Sequence, residues 1–305
     1  VELDFRGSGT TFSVVRLRHA YLNLDWGTSA LLLGQTWHPL YGDVAPQILN
    51  LNMGAPFQPF SRAPQIRYRY KTGDIQITGA ALWQSQYLSQ GPEGKSQKYI
   101  KNSCVPEIYA GIDYKHKGLL IGAGIEMVSL TPRTQATVED KIYKVSERIT
   151  SLSYEVHMKY NSEKWLVAAK SVLGSNLTQT SMLGGYGIKS IDPRTGEQEY
   201  SPNRNSSSWI NIVYGKTWKP AIFFGYMKNL GTSDAVTNMY GTGTNVDQLL
   251  SGTAELTYNV PHWKLGVEYN LTSAWYGSLN HSNGKVVDTH SVSNNRLVAT
   301  ALFMF

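Results

Sequence analysis

The chain has 305 residues, a formal net charge of +6 and a charged fraction of 16%. About 25% of the residues of a typical soluble domain are charged, so this sequence is poor in charge for its length. It contains no run of about 18 apolar residues, which excludes a transmembrane helix. The 19 tyrosines, 8 tryptophans and 28 glycines suit sheets that have aromatic rims and tight turns.

Two strands are predicted at the start of the chain. Val1, Leu3 and Phe5 alternate with charged residues, which is the pattern of a half-buried strand. The sequence has neither an initiator Met nor a signal-peptide pattern here, so we expect further sequence to precede Val1. A second strand covers 16–26, where the apolar parity changes near Ala20 and predicts a bulge.

A ladder of cations marks the segment QIRYRYK at 65–71. One parity holds Ile66, Tyr68 and Tyr70, and the other holds Arg67, Arg69 and Lys71. Side chains of opposite parity point to opposite faces of a sheet. The cations therefore face either water or the interior of something that the sheet encloses.

The same alternation recurs to the end of the chain, and a helical period is hard to find. Short turns alternate with long polar stretches, which cover 41–62, 87–104, 131–148, 176–206, 232–251 and 278–294. Aromatic residues stand beside several short turns, at Trp26, Trp165, Trp218 and Trp263. This order is typical of an up-and-down meander, here of fourteen strands, with tight turns on one rim and loops on the other.

The chain ends in the alternating segment RLVATALFMF, with Phe305 last. Outer-membrane barrels commonly end on such a strand, and the assembly machinery reads its terminal aromatic residue. We therefore predict an all-β fold: a transmembrane antiparallel up-and-down β-barrel of about 14 strands, forming a single domain over 1–305, with Phe305 as its assembly signal. In a barrel one parity meets lipid and the other lines the lumen, so the cation ladder points into a pore.

Several segments resemble the DcaP-like family of outer-membrane porins. They are RLRHAY (16–21), LLLGQTW (31–37), APQIRY (63–68), GGYGI (184–188), WINIVYG (209–215) and FFGYMKNLG (223–231), in order through nearly the whole chain. The resemblance implies a trimeric, sixteen-stranded porin that passes small anionic solutes. Two strands before Val1 would account for the difference from fourteen. The stretch 41–62, rich in Pro and apolar residues, departs from the family.

In a porin, the width of the lumen and its electric field act on the solute. The predicted pore-lining basic residues are Arg16, Arg18, Arg62, Arg67, Arg69 and Lys71, and the acidic ones are Glu107, Asp113, Glu126, Glu155, Glu255 and Glu268. Opposed charges would orient dipolar solutes and favour ions of one sign; alternatively, these residues line a wide pore that selects nothing. The loop 41–62 either folds inward as a constriction or stays outside as an extracellular loop.

The sequence favours a passive channel in the bacterial outer membrane over an enzyme. It contains no HExxH, GxSxG or P-loop motif, and its seven histidines are scattered. We expect no cofactor, no metal and no nucleic acid. The expected partners are the lipid bilayer, small anionic solutes, further copies in a homotrimer and other outer-membrane proteins. A structural or accessory barrel in a larger outer-membrane complex is the alternative, and a soluble all-β binding protein is a further one.

Overall fold

The computed structural model describes residues 1–7, 13–49 and 53–304, with the backbone alone at 5–7 and 13–14. In these residues, fourteen antiparallel strands follow one another in chain order across one continuous sheet. They are β1 Glu2–Gly7, β2 Ser13–Asp25, β3 Ser29–Trp37, β4 Arg62–Thr72, β5 Ile75–Leu82, β6 Glu107–His116, β7 Leu119–Leu130, β8 Ile149–Asn161, β9 Trp165–Ser175, β10 Gln198–Tyr214, β11 Trp218–Gly231, β12 Val246–Val260, β13 Trp263–Leu279 and β14 Val286–Phe303. The predicted all-β meander and its strand count are confirmed.

The two ends of the sheet are not joined in the described part of the chain. There β1 pairs with β2 alone and β14 with β13 alone. The expectation of two further strands stays a prediction. Phe305 lies outside the described residues, so its role as an assembly signal also stays a prediction.

The two faces of the sheet differ as the alternation predicts. On the outer face, Ile66 and Tyr68 expose 59% and 48% of their surface, whereas Arg67 between them exposes 7%. A continuous apolar outer face is what a barrel presents to lipid. The predicted bulge in β2 lies at Arg18, because Leu17 pairs with Leu3 and His19 pairs with Glu2.

The short turns lie on one rim, at 26–28, 73–74, 117–118, 162–164, 215–217 and 261–262. Close to this rim, aromatic rings pair across neighbouring strands: Trp165 with Tyr214 at 4.6 Å, Trp218 with Tyr258 at 4.7 Å and Trp263 with Phe303 at 4.9 Å between centroids. Such a girdle marks a membrane interface, and tight turns mark the periplasmic end of a barrel. We refer to this end as the short-turn rim.

The opposite rim carries the long connections, and several of them contain strand: Gln135–Val138 pairs with Lys141–Lys144, and Gln90–Gly91 pairs with Gly94–Lys95. β10, β12 and β14 begin earlier than the polar stretches 176–206, 232–251 and 278–294 predicted. A short strand, Gly184–Ile191, pairs with the extension of β10 and with a second short strand, Met239–Thr242. The sequence interpretation failed here because Ser, Asn and Gly above the apolar band have the composition of loops although the backbone continues its pairing.

Helices contribute little to the fold. Lys98–Ser103 is the one α-helix among the described residues. Across these ranges, no helix is long and apolar enough to cross a membrane.

The connection between β3 and β4, residues 38–61, folds back against the inner face of the sheet. We call it the inward loop; its described parts are 38–49 and 53–61. Leu40, Val44 and Phe57 of the loop are buried with Trp209 and Phe223 of the wall in one apolar cluster. The core of the protein therefore lies between this loop and the inner face of the sheet.

Candidate functional site

The inward loop is bonded to the inner wall at several points of its described parts. The indole Nε1 of Trp209 donates to Gln58 Oε1 at 2.8 Å, and the hydroxyl of Ser207 donates to the carbonyl of Phe57 at 3.0 Å. Nearer the middle of the loop, the backbone N–H of Gln47 donates to Asn211 Oδ1 at 2.8 Å. The segment that the sequence marks as a candidate constriction thus folds inward.

The loop begins at a buried cluster of one imidazole and two carboxylates. His38 Nε2 lies 3.3 Å from Glu107 Oε2 and 3.4 Å from Glu126 Oε1. All three side chains are at most 2% exposed. Gln84 donates to the other oxygen of Glu107 at 2.6 Å. Two of the predicted pore-lining acids therefore face the loop rather than open lumen.

Two more predicted acids hold the loop near its middle. Glu255 and Glu268 are directly opposite each other on β12 and β13. The backbone N–H of Leu49 donates to an Oε2 atom of each carboxylate at 2.8 Å. Arg296 Nη2 lies 3.6 Å from Glu268 Oε1, so this acid pair has a cation beside it.

Glu155 acts on the loop through a buried lysine. Lys170 Nζ lies 3.3 Å from Glu155 Oε2 and donates to the carbonyl oxygens of Leu40 and Tyr41, the latter at 3.0 Å. The hydroxyl of Tyr109 also donates to Glu155, at 2.8 Å. The negative charge of Glu155 is therefore matched by Lys170, which is itself bonded to the loop.

The sixth predicted acid, Asp113, is bonded within the wall. Its Oδ1 lies 2.9 Å from Nε2 of His157, and its Oδ2 accepts from Gln76 at 3.0 Å. In the structure all six predicted acids thus have partners on the wall or the loop. Sequence reasoning places them on the inner face but does not supply these partners.

The cation ladder lies on the inner face, as its parity predicts. Arg67 donates to Gln65 Oε1 at 2.8 Å and to the carbonyl of Trp37, both neutral groups. Arg69 and Lys71 follow it toward the short-turn rim. Among the described residues, no carboxylate lies within 4.0 Å of a charged nitrogen of any of the three.

The other three predicted cations lie at the long-loop end of the barrel. Arg16 bonds Asp4 through Nε at 2.9 Å, and Arg18 lies 3.2 Å from Glu2. Arg62 is 2% exposed and lies over the ring of Trp37, with 4.5 Å between its Cζ and the ring centroid. This group is therefore mixed: two of the arginines are paired with acids, and the third stacks on an aromatic ring.

One carboxylate of the inward loop faces the ladder. Asp43 Oδ2 accepts from Lys115 Nζ at 3.0 Å. Partial burial alone would raise the pKa of Asp43, but Lys115, together with Arg69 and Arg67, lowers it below its ordinary value. A cavity of about 30 Å³ lies between this part of the loop and the wall at Arg67 and Arg69. The inward loop and the cation ladder therefore border the same cavity.

Four lysines that are not among the predicted pore-lining residues share the inner face near the short-turn rim. They are Lys115, Lys159, Lys219 and Lys264, whose cross-strand partners or contacts lie on the inner face. A signal for them exists in the sequence. Each lysine is next to an outward aromatic residue at the end of a strand, respectively Tyr114, Tyr160, Trp218 and Trp263, so its parity is inward.

The cluster at His38 has the residue types of a metal site, and its ligand atoms lie within 4.8 Å of one another. The backbone N–H of Leu40 donates to Nδ1 of His38 at 3.2 Å. Because Nδ1 accepts this bond, the ring proton is on Nε2, the nitrogen that faces both carboxylates. A metal ion at Nε2 would have to displace this proton, and the hydrogen bond from Leu40 to Nδ1 would then be lost.

No protein-family model and no curated protein sequence matches this chain. Among solved structures it is similar to the outer membrane channel DcaP of Acinetobacter baumannii, with a TM-score of 0.69 and 19% identity, covering 99% of this chain and 79% of that chain. It is also similar to outer-membrane expressed OmpT of Vibrio cholerae (TM-score 0.58, 11% identity, 99% and 83% covered) and to Salmonella typhi OmpF in complex with daunomycin (0.52, 13%, 94% and 79%).

These likenesses, together with the apolar outer face and the two unequal rims, define the fold as that of the outer-membrane β-barrel channels. The resemblance to DcaP predicted from the sequence is confirmed at the level of the fold.

Proposed function

We propose that this chain is a porin of the bacterial outer membrane, a water-filled channel for passive diffusion of small hydrophilic solutes that prefers anions. The fold of outer-membrane channels supports the location and the passive mechanism. The inward loop supports a pore whose width is set by an internal segment. No chemical step is part of this proposal.

The preference for anions rests on one observation, the unequal pairing of acids and bases on the inner face. Five of the six predicted acids accept hydrogen bonds from the wall or the loop, and the sixth, Glu126, is fully buried and faces His38 rather than the lumen. Arg69, Lys71, Lys219 and Lys264, by contrast, have no carboxylate within 4.0 Å among the described residues. Unpaired positive charge in a low-dielectric channel raises the local concentration of anions.

Assembly as a homotrimer belongs to the same proposal. A further neighbour, OmpT of Vibrio cholerae in its trimer form, has a TM-score of 0.55 and 11% identity, and covers 99% of this chain and 85% of that chain. Crosslinking of the protein in native membranes tests the number of subunits: a ladder that ends at three chains supports the trimer.

Conductance in planar bilayers tests the function itself. We expect step-like openings and, in a gradient of potassium chloride, a reversal potential displaced toward the equilibrium potential of chloride. The displacement should grow at low salt, because the Debye length lengthens from about 8 Å at physiological ionic strength to about 30 Å at 0.01 M. A reversal potential of zero or of the opposite sign contradicts the preference for anions. Absence of any conductance contradicts the porin and favours a structural subunit.

A further inference from the structure

We call His38–Leu40, where the inward loop leaves β3, the stem of the loop. Two buried carboxylates and one imidazole meet at this stem. His38 is the first residue of the loop, and Glu107 on β6 and Glu126 on β7 both face its Nε2 atom. Burial lowers the pKa of His38, but Glu126 and Glu107, if both are ionised, raise it to about 9. A protonated ring would have no lone pair on Nδ1 to accept the N–H of Leu40, so we take the ring as neutral, with one N–H to offer, and place the extra proton on the carboxylates. Two buried carboxylates thus converge on a single donor.

No lysine or arginine of the described residues compensates the two carboxylates. Within the described residues, no Lys or Arg nitrogen lies within 4.0 Å of Glu107 or Glu126. The next titratable groups are Glu155 on β8, which is matched by Lys170, and Tyr109, which donates to Glu155. Gln84 donates one hydrogen bond to Glu107. The acid pair that binds Leu49 differs, because Arg296 lies beside it.

Glu126 is the member of the cluster that lacks a hydrogen bond. Its side chain is 0% exposed, and neither of its oxygens has a hydrogen-bond partner. An ionised carboxylate in that state carries a large desolvation penalty. A protonated carboxyl group would instead be uncharged and would have an O–H to donate toward Glu107.

We propose that Glu107 and Glu126 share one proton beneath His38, and that this proton positions the stem of the inward loop, so that docking of the loop weakens as the pH rises. The three residues are positioning residues, since they act on solutes only through the loop. The inference rests on the proposed channel function and adds a form of regulation to it.

The direction of the effect follows from proton counting. In water both carboxylates would be ionised above their ordinary pKa of about 4.3, so the undocked cluster holds no proton on either at neutral pH. The docked cluster holds one. Docking therefore binds a proton, and each unit of pH weakens it up to about tenfold until the docked cluster ionises as well. The titration belongs to the pair rather than to one residue.

The test is the single-channel conductance of the purified protein as a function of pH. We expect the mean wild-type conductance to rise about twofold between about pH 6 and about pH 9, as the loop leaves the wall. In Glu126→Gln the amide donates as a protonated carboxyl group does and cannot ionise, so this profile should be flat at the acidic wild-type value. Glu163→Gln, in an exposed turn, should keep the wild-type rise.

The histidines and lysines of the lumen are unchanged in both variants, so the difference between the profiles reports the cluster. A wild-type pore that conducts equally across this range overturns the inference and leaves the porin intact, as does a Glu126→Gln profile with the wild-type slope. Glu107→Gln removes the same charge and replaces Glu126→Gln should the latter not fold. A protein that never conducts overturns both the porin and the inference.

Discussion

Tyr109 on β6 lies across the backbone of Gly124 on the neighbouring strand β7. A Cβ atom added at residue 124 would collide with the phenol ring, and one added at Gly111 would collide with the same ring. Because the two glycines have no side chains, the ring of Tyr109 can pack directly on the backbone of the wall. We call Gly111 and Gly124 the seat of Tyr109. From that seat its hydroxyl donates to Glu155 at 2.8 Å, so small residues on the inner face help to place a charge that holds the inward loop.

The first prediction concerns this seat. Gly124→Ala should destabilise the barrel by about 1–3 kcal/mol, since the added methyl group forces Tyr109 off the wall and away from Glu155. Gly79→Ala is the matched control, because Gly79 is also in a wall strand and a Cβ there meets nothing within 4 Å. The midpoint of denaturant unfolding in lipid vesicles measures both. An equal loss of stability in the two variants would show that the position of Tyr109 does not depend on Gly124.

The second prediction tests the lipid-facing surface. Val156 is 57% exposed on the outer face of β8, about four residues from the aromatic rim. Val156→Arg should cost about 2–4 kcal/mol, the penalty of an arginine near the midplane of a bilayer. Val156→Ile should leave stability nearly unchanged. Reversible unfolding from vesicles is the appropriate measurement, and an arginine tolerated at no cost there would contradict a bilayer around this face.

The third prediction concerns the cation ladder. A charge about 5 Å from a passing anion contributes roughly 1.5 kcal/mol at an effective dielectric constant near 40, before salt screens it. Arg69→Glu combined with Lys71→Glu should therefore reverse or abolish the preference for anions, measured as a reversal potential in a salt gradient. Arg67 is unsuitable for this change, because it is buried and bonds the carbonyl of Trp37.

A matched variant separates a local effect from net charge. Lys117→Glu and Lys216→Glu together make the same change of charge in two exposed turns of the short-turn rim. We expect the reversal potential of this double variant to stay close to that of the wild type. Equal shifts in both double variants would mean that overall charge, rather than the ladder, sets the preference.

The fourth prediction concerns the buried pair of Lys170 and Glu155. Lys170→Met should destabilise by about 3–5 kcal/mol, because it leaves a buried carboxylate without its cation. Lys170→Met with Glu155→Gln removes both charges and should recover much of that loss. A double-mutant cycle on unfolding free energies measures the coupling. Additive losses would show that the pair is not coupled in the folded protein.

Conductance provides a separate readout for the same pair. Lys170 also holds the carbonyl oxygens of Leu40 and Tyr41, and neither variant can do so. Both should therefore show noisier openings than the wild type even where stability recovers. If the double variant shows the same current noise as the wild type, the bonds from Lys170 do not position the loop.

The alternation of the sequence was sufficient to predict the wall. Residues such as Ile66 and Arg67 occupy the faces that their parity indicates, because a strand offers two sides and lipid accepts one kind of side chain. The partners of the inner acids could not be predicted in this way. Leu49 and His38 belong to a segment without periodicity, and their contacts with Glu268 and Glu126 depend on how that segment crosses the interior.

The inward loop also has a consequence for the order of assembly. Leu49 bonds residues that follow it by 206 and 219 positions in the chain. These contacts cannot form until β12 and β13 are in place, and contacts over such long separations form slowly. The contacts of Leu49 therefore form only when the wall is nearly complete, whereas those of His38 and Leu40 need only the strands up to β9. We therefore expect the inward loop to be fastened in two stages during folding, at its first residues early and at Leu49 last.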